Sequence, residues 1–379
     1  MQLLLEAFKK CIIIIIVDQN LKDLRQKMEL NQIDFENQQV HLQNVSRTFA
    51  LTIPMLPKSL IDYISNAYLL CRIADTVEDD PLALKEKKIT WLKSFAVFCS
   101  NQFADEMELL RLHKIGLELV EKGAKDTELL LMKDMEPVIK RTMGFPPRVK
   151  SILAKGVAIL SYGMAASLEG QNIKNLDDVD RYCYFVAGVV GELLAALFSE
   201  HNKSIDKKGL MILAVSFGEG LQLTNILKDR ITDNKRNVSF LPTADKDTNS
   251  SQIIKDYIAI CQGHLDDALD FIVKLPENES GIRLFCLLNI AMATATIKLI
   301  SSVDTEKQEN IKISRNKVKL LYVLSKMCAK SNFMTKLLFS FLSRGVKRQR
   351  RNPLELHNKV SCWEHDLNIF SIQEGSGND

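Results

Sequence analysis

Glycine and proline are scarce in this chain, 16 and 9 among 379 residues, and strict apolar/polar alternation is missing from its longer segments. Sheet-rich architectures need both turn residues and alternation, so their shortage excludes a hairpin-based fold and leaves helices almost throughout. The eight cysteines contain no Cys-x-x-Cys pair and the six histidines show no metal-ligand spacing, which excludes a zinc module and predicts a reduced, intracellular, cytoplasmic chain. Neither sign of charge dominates: 50 basic and 47 acidic residues give +3, so the overall balance implies no nucleic-acid partner. Long apolar runs are missing too. The longest, Cys11–Val17, is far short of the ~20 residues that cross a bilayer, and no small-residue cleavage site follows it. What is abundant is hydrophobic residues, 46% of the chain, enough for a sizeable core.

The apolar spacing of three and four predicts helices over Leu60–Asp80, with Ser59 as N-cap and Asp62 at the third helical position, and near 84–102, 104–122, 126–140, 148–169, 178–199, 206–232, 250–274, 280–302 and 314–343. No repeat or linker divides them, so residues 28–343 read as one all-helical domain. Residues 1–27 are expected to lie outside it, with Met28 as an alternative start. Residues 344–379 read as a basic, poorly ordered tail.

Two polar stripes stand out. Asp75 and Asp79 are one turn apart on one face of a helix closed by Pro81, crowded further by Glu78 and Asp80. Like charges at this spacing cost ~0.2–0.5 kcal/mol, and acids near a helix C-terminus oppose its dipole by ~0.3–1 kcal/mol. Gln222, Asn225, Asp229 and Asp233 form a second stripe opposite the apolar Leu223, Ile226, Leu227 and Ile231. Either stripe alone reads equally as a solvated face. Together they supply hard oxygen ligands of the kind Mg2+ prefers alongside substrate phosphate, and two such faces across a cavity suit a diphosphate leaving group.

The segments Val45–Phe49 (VSRTF), Ala67–Asp80 (AYLLCRIADTVEDD), Arg181–Gly191 (RYCYFVAGVVG) and Gly220–Asp229 (GLQLTNILKD) resemble, in order, the diphosphate-gripping entry, first aspartate helix, central tyrosine helix and second aspartate helix of the squalene/phytoene synthase family. The resemblance covers roughly residues 40–320. It implies an isoprenoid-synthase-type bundle around a deep apolar cavity, with Asp75, Glu78, Asp79, Asn225, Asp229 and Asp233 holding Mg2+ at its mouth. It also implies diphosphate contacts from Ser46, Arg47, Tyr68, Arg72, Gln222, Asn225, Lys228 and Arg236, and a catalytic role for Tyr182 in the first half-reaction beside Asp75, Asp79, Asp229 and Asp233. On the residues alone, Ser46 reads as a helix cap, and Tyr68 and Tyr182 as packing residues. Gly188 and Gly191 cost about 1 kcal/mol each in a helix, which points to close approach by a neighbour or a ligand. The loop Asn234–Pro242 (NKRNVSFLP) departs from the family's glycine-containing loop.

Ile311–Lys317 (IKISRNK) resembles the stretch that squalene-forming family members use near NADPH phosphates, which assigns Lys312, Arg315 and Lys317 to the cofactor; a solvated basic surface is the plain alternative. The resemblance then implies that two farnesyl diphosphates are joined head to head and that NADPH reduces the product to squalene, by a protein expected to be a monomer. Phytoene or dehydrosqualene synthesis without reduction, and a non-catalytic assembly role, remain the alternatives. A terpene cyclase fits less well, because Asp229 and Asp233 form a second Asp-x-x-x-Asp. The leucine- and lysine-bearing stretch 316–343 reads either as a packed terminal helix or as a peripheral contact with an anionic membrane.

Overall fold

The computed structural model describes residues 35–170, 173–235, 238–242, 250–305, 308 and 311–365, and every regular element among them is helical. The order is α1 (35–45), α2 (Arg47–Thr52), a 3-10 turn Ile53–Met55, α3 (Lys58–Asp79), α4 (Lys85–Ser100), α5 (Glu106–Val120), α6 (Asp126–Lys133), α7 (Met135–Met143) and α8 (Pro147–Leu168). The chain continues through α9 (Leu176–Cys183), a π-turn Tyr184–Gly188, α10 (Val189–His201), α11 (Lys207–Asn234), α12 (Ser250–Lys274), α13 (Ser280–Ser301), α14 (Arg315–Cys328), α15 (Asn332–Ser343) and α16 (Pro353–Val360).

α11 is the axis of the bundle. It packs against α10, α12, α13 and α16, while α8 joins α3, α4 and α10 on the other side. Two glycines set the closest approach. A Cβ on Gly191 would lie 2.0 Å from the Ala214 carbonyl oxygen, and one on Gly218 2.1 Å from that of Ala187, so α11 meets α10 and the π-turn backbone to backbone. The close approach expected at Gly191 is therefore real, and its partner is a helix.

Several predicted boundaries move for local reasons. α3 starts at Lys58, after Pro57, with the Leu60 and Ile61 amides bonded to the Pro57 carbonyl. Ser59 is thus not the cap, and its hydroxyl pairs with His201 Nδ1 at 3.1 Å. Asp62 instead takes Arg141 in two-pronged fashion, at 2.7 and 2.8 Å. The stretch 126–140 breaks at Asp134, whose carboxylate meets His41 at 2.7 Å. The stretch 314–343 divides at 329–331. There the buried Arg283 donates to the Ala329, Ile272 and Leu275 carbonyls at 2.5, 2.8 and 2.8 Å.

The tail expected to be loose from residue 344 is docked through residue 365. The Gln349 amide donates to the Ala259 carbonyl at 2.8 Å, Arg350 binds Asp267 and Asp270, and Trp363 is buried. Basic residues here meet acids across the fold, which sequence separation conceals. Residues 1–27 and 366–379 lie outside the described residues.

Four helical stretches, Pro147–Leu168, Leu176–His201, Lys207–Asn234 and Ser280–Ser301, are long and apolar enough to cross a membrane, although no span was expected from the sequence. Between 61% and 78% of their most apolar windows is buried inside the bundle, where they cover one another around the α11 axis.

Replacing Arg283 with Met takes its donor from the buried Ala329 and Leu275 carbonyls, while the Ile272 carbonyl keeps the Leu275 amide at 3.1 Å. At ~1–3 kcal/mol for each unsatisfied group, partly offset by relaxation, a loss of about 3 kcal/mol is expected in urea unfolding.

Candidate active site

The residues predicted on α3 share one face. Arg72 lies between the carboxylates of Asp75 and Glu128, bonded to both. Glu128, on α6, carries no sequence signal toward this site, because its spacing from Lys125 marks only a capping box. Asp80 turns away from the cluster and caps the Leu82 and Ala83 amides at 2.9 and 2.8 Å. Burial and the neighbouring Asp79 push the Asp75 carboxyl up to about 7, against the opposing pull of Arg72. Glu78 is raised well above the usual range by burial and by Asp75 and Asp79, and Asp79 is raised chiefly by burial. One guanidinium does not neutralise this set.

Tyr68 rises one turn earlier. Its ring packs 5.0 Å from Phe49, its hydroxyl reaches the Val45 carbonyl at 3.4 Å, and burial raises its pKa while Ser46 and Arg72 oppose the rise. Ser46 is the N-cap of α2, accepting from the Phe49 amide at 3.0 Å, so the cap and a position beside the site coincide in one hydroxyl. The side chain of Arg47 lies outside the described residues.

A cavity of about 240 Å³ opens between Arg72 and Asp75 on α3 and Gln222 and Asn225 on α11. Its walls are apolar, with Phe49, Ile53, Leu160, Met164, Phe217 and Phe285 among them. Beside it a second hollow of about 320 Å³ is bordered by Gln222, Asn225, Asp229, Asp233 and Phe240. Lys228 bridges the Asn225 side chain at 3.2 Å and Asp229 at 3.1 Å. Tyr182 joins the two clusters. Its ring stacks on Phe240 at 4.9 Å, and burial, with the charges of Glu78, Asp79 and Asp75, raises its phenol far above the ordinary value.

Lys312, Arg315 and Lys317 are exposed at the start of α14 and line neither hollow. The segment before them is tied to α11 by Arg230, which donates to the Thr305 carbonyl at 2.6 Å. Arg236 lies outside the described residues.

Sequence inspection also missed how the tyrosine helix is held. Arg351 clamps the buried Asp180, two residues before Tyr182, with bonds of 2.6 and 2.6 Å. The Cys362 amide donates to the Tyr184 hydroxyl at 2.7 Å, and that hydroxyl donates to Glu192 at 2.9 Å. Glu192 also accepts from Ser361 at 2.6 Å. Nor does linear spacing reveal Asp180, Glu219 and His264, whose ligand-capable atoms lie within 4.8 Å of one another. There burial, helped by Arg351, lowers His264 to about 3, burial raises Glu219, and Asp180 is committed to Arg351.

The profile of squalene/phytoene synthases matches residues 42–317. The chain belongs to the squalene/phytoene synthase family. Among relatives of this family member, the squalene synthase of Schizosaccharomyces pombe is 27% identical over 296 residues, covering 72% of this chain and 61% of that protein. The Mus musculus squalene synthase is 28% identical, covering 68% and 61%, and that of Solanum lycopersicum 27% identical, covering 74% and 66%. The chain therefore spans less than two thirds of these relatives' own length. A solved structure of TcSQS with a ligand superposes with TM-score 0.67 at 20% identity, covering 90% of this chain and 98% of that one. A dehydrosqualene synthase complex gives 0.52 at 18% identity, covering 79% and 97%. The family's helical fold is thereby shared.

Because the folded pKa of Asp75 is raised above its unfolded value near 3.8, its contribution to stability is fully present below about pH 4 and lost as pH rises through about 7. The metal-free protein is expected to melt at a lower temperature at pH 8 than at pH 5, with Asp75→Asn raising the pH 8 value and narrowing the gap in differential scanning fluorimetry. Arg351→Ala leaves Asp180 buried without its partner, and denaturant titration is expected to show a loss of about 3–5 kcal/mol.

Proposed function

We propose that this chain joins two farnesyl diphosphates head to head into presqualene diphosphate and reduces that product to squalene. The observation that carries this is the apolar cavity whose mouth lies between Asp75 on α3 and the Asn225–Asp233 stripe on α11. An isoprenoid tail of about fifteen carbons gains on the order of 10 kcal/mol gross from such walls, at ~0.8 kcal/mol per CH2. The relatives named squalene synthases support the same substrate class.

The donor set fits Mg2+. Asp75 lines the same cavity as Asn225, while Asp229 and Asp233 border the hollow beside it, and Asp75, Glu78 and Asp79, carboxylates throughout, are held above their ordinary pKa chiefly by burial. When bound, Mg2+ supplies the charge that steadies a departing diphosphate. Arg72 and Lys228 add fixed positive charge on either side, and Ser46, Tyr68 and Gln222 offer neutral contacts to phosphate oxygens. The raised pKa of Tyr182 keeps its phenol protonated at neutral pH. A protonated phenol there would serve as a donor to the leaving diphosphate. The walls exclude water from carbocations formed between them.

Lys312, Arg315 and Lys317 fit phosphate groups of NADPH, since none of the three makes an ion pair with another described residue. NADPH supplies the hydride that ends the second half-reaction. Their position outside both hollows favours, as the second reading, release of an unreduced C30 polyene, the product class of the dehydrosqualene synthase neighbour.

Incubation with farnesyl diphosphate and Mg2+ is expected to give presqualene diphosphate, and added NADPH to give squalene. An unreduced polyene in the presence of NADPH selects the second reading, and inertness toward every prenyl diphosphate defeats both. Asp75→Asn and Asp229→Asn are each expected to lower kcat on the order of 10²–10³-fold.

A further inference from the structure

Among the described residues, nothing covers the outer surface of the helical pair α14 and α15. Both helices pack their inner faces on α13, through Leu321, Ser325 and Cys328 on α14 and Thr335, Leu338, Phe339 and Leu342 on α15. Arg283 of α13 stitches the turn between them by its bond to the Ala329 carbonyl. The faces turned away from α13 carry Leu320, Val323 and Met327 on α14 and Phe333, Leu337 and Phe341 on α15, each between 51% and 73% exposed. Their spacing of three and four places each trio on one side of its helix. Isolated exposed apolar residues are ordinary, but two aligned helical rows are an interaction surface.

Charge identifies the occupant. From Ile311 to Pro353 there is no aspartate or glutamate, whereas lysine and arginine occur twelve times. Since the whole chain is only +3, the remainder carries an excess of acid and the positive charge is gathered here. Some of it is used internally, as in the ion pairs of Arg350 and Arg351. Lys319, Lys326, Lys330, Lys336 and Arg344 are exposed and make no ion pair with a described residue. A protein partner for this face would need an acidic rim surrounding an apolar centre. A bilayer with anionic headgroups offers both over any area, because long basic side chains reach headgroups while the apolar rows enter the acyl boundary.

We infer that α14 and α15 form a peripheral docking surface for an anionic lipid bilayer. It stands apart from the proposed chemistry, since none of these residues lines the cavity, and its test is independent of turnover.

The full chain is sedimented with large vesicles of phosphatidylcholine alone or mixed with phosphatidylserine. Binding is expected on the mixed vesicles, weakening as salt rises. The double variant Phe333→Ser/Phe341→Ser should lower the partition coefficient by about tenfold or more, and Lys326→Glu/Lys330→Glu/Lys336→Glu should remove the preference for phosphatidylserine. All five positions are exposed, so folding is retained and is checked by circular dichroism. Leu320→Ser/Met327→Ser repeats the test on the other helix. Vesicle binding unchanged by these substitutions would overturn the proposal by assigning it to another segment. It fails equally if no vesicles bind and light scattering shows a dimer that Phe333→Ser/Phe341→Ser dissociates, because the face then belongs to a second copy of the chain.

Discussion

The backbone contact between α11 and the α10 segment is the constraint on which the rest of the architecture turns. With carbonyl oxygens of Ala214 and Ala187 about 2 Å from where the side chains of Gly191 and Gly218 would begin, any substituent at either position drives the helices apart. Their closeness on one side leaves room on the other, where α3, α8 and α13 complete the wall. The cavity is thus a product of unequal spacing: two helices meet at backbone distance, while their neighbours are held off by Phe217, Leu160 and Phe285. The π-turn at Tyr184–Gly188 belongs to the same device, because an extra residue in the turn changes which face follows. Tyr182 before it stacks on Phe240 beside the second hollow, and Gly191 after it meets α11.

Electrostatics runs against stability at the mouth of that cavity. Asp75, Glu78 and Asp79 are gathered where burial and mutual repulsion raise their pKa values, and the protein supplies Arg72 and, more distantly, Lys88 and Lys125 in return. A fold selected for stability alone would disperse these acids or pair each one. Elsewhere the chain does pair them: Asp62 with Arg141, Asp180 with Arg351, and Asp267 with Arg350. The contrast between the satisfied acids and the crowded ones marks the functional face more sharply than either acidic helix does by itself.

Much of this was legible in the sequence, for a physical reason. Helical periodicity is a local property, so the long helices and the carboxylates one turn apart could be read directly, and the motif order carried the family. What escaped depends on distance in space. Glu128 reaches Arg72 from 56 residues away, and Arg351 reaches Asp180 from 171; neither has a local signature. Ser59 looked like a helix cap, but the preceding Pro57 had already fixed the chain's entry into α3. The break after Cys328 was hidden because apolar spacing continues through it, and only Arg283, arriving from α13, shows why the chain turns there.

The tail clamp has a consequence for how the protein matures. A chain made from its N-terminus has α9, the π-turn and α10 available long before Arg351, Ser361 and Cys362 exist. Until those residues leave the ribosome, Asp180 and Glu192 lack these partners, and the Tyr184 hydroxyl lacks the Cys362 amide. The tyrosine helix can therefore reach its final setting only once residues 351–362 have emerged, so a nascent chain carries both aspartate helices before it carries this clamp. A ribosome stalled near residue 344 would hold a bundle with its cavity built and its tyrosine still unsecured.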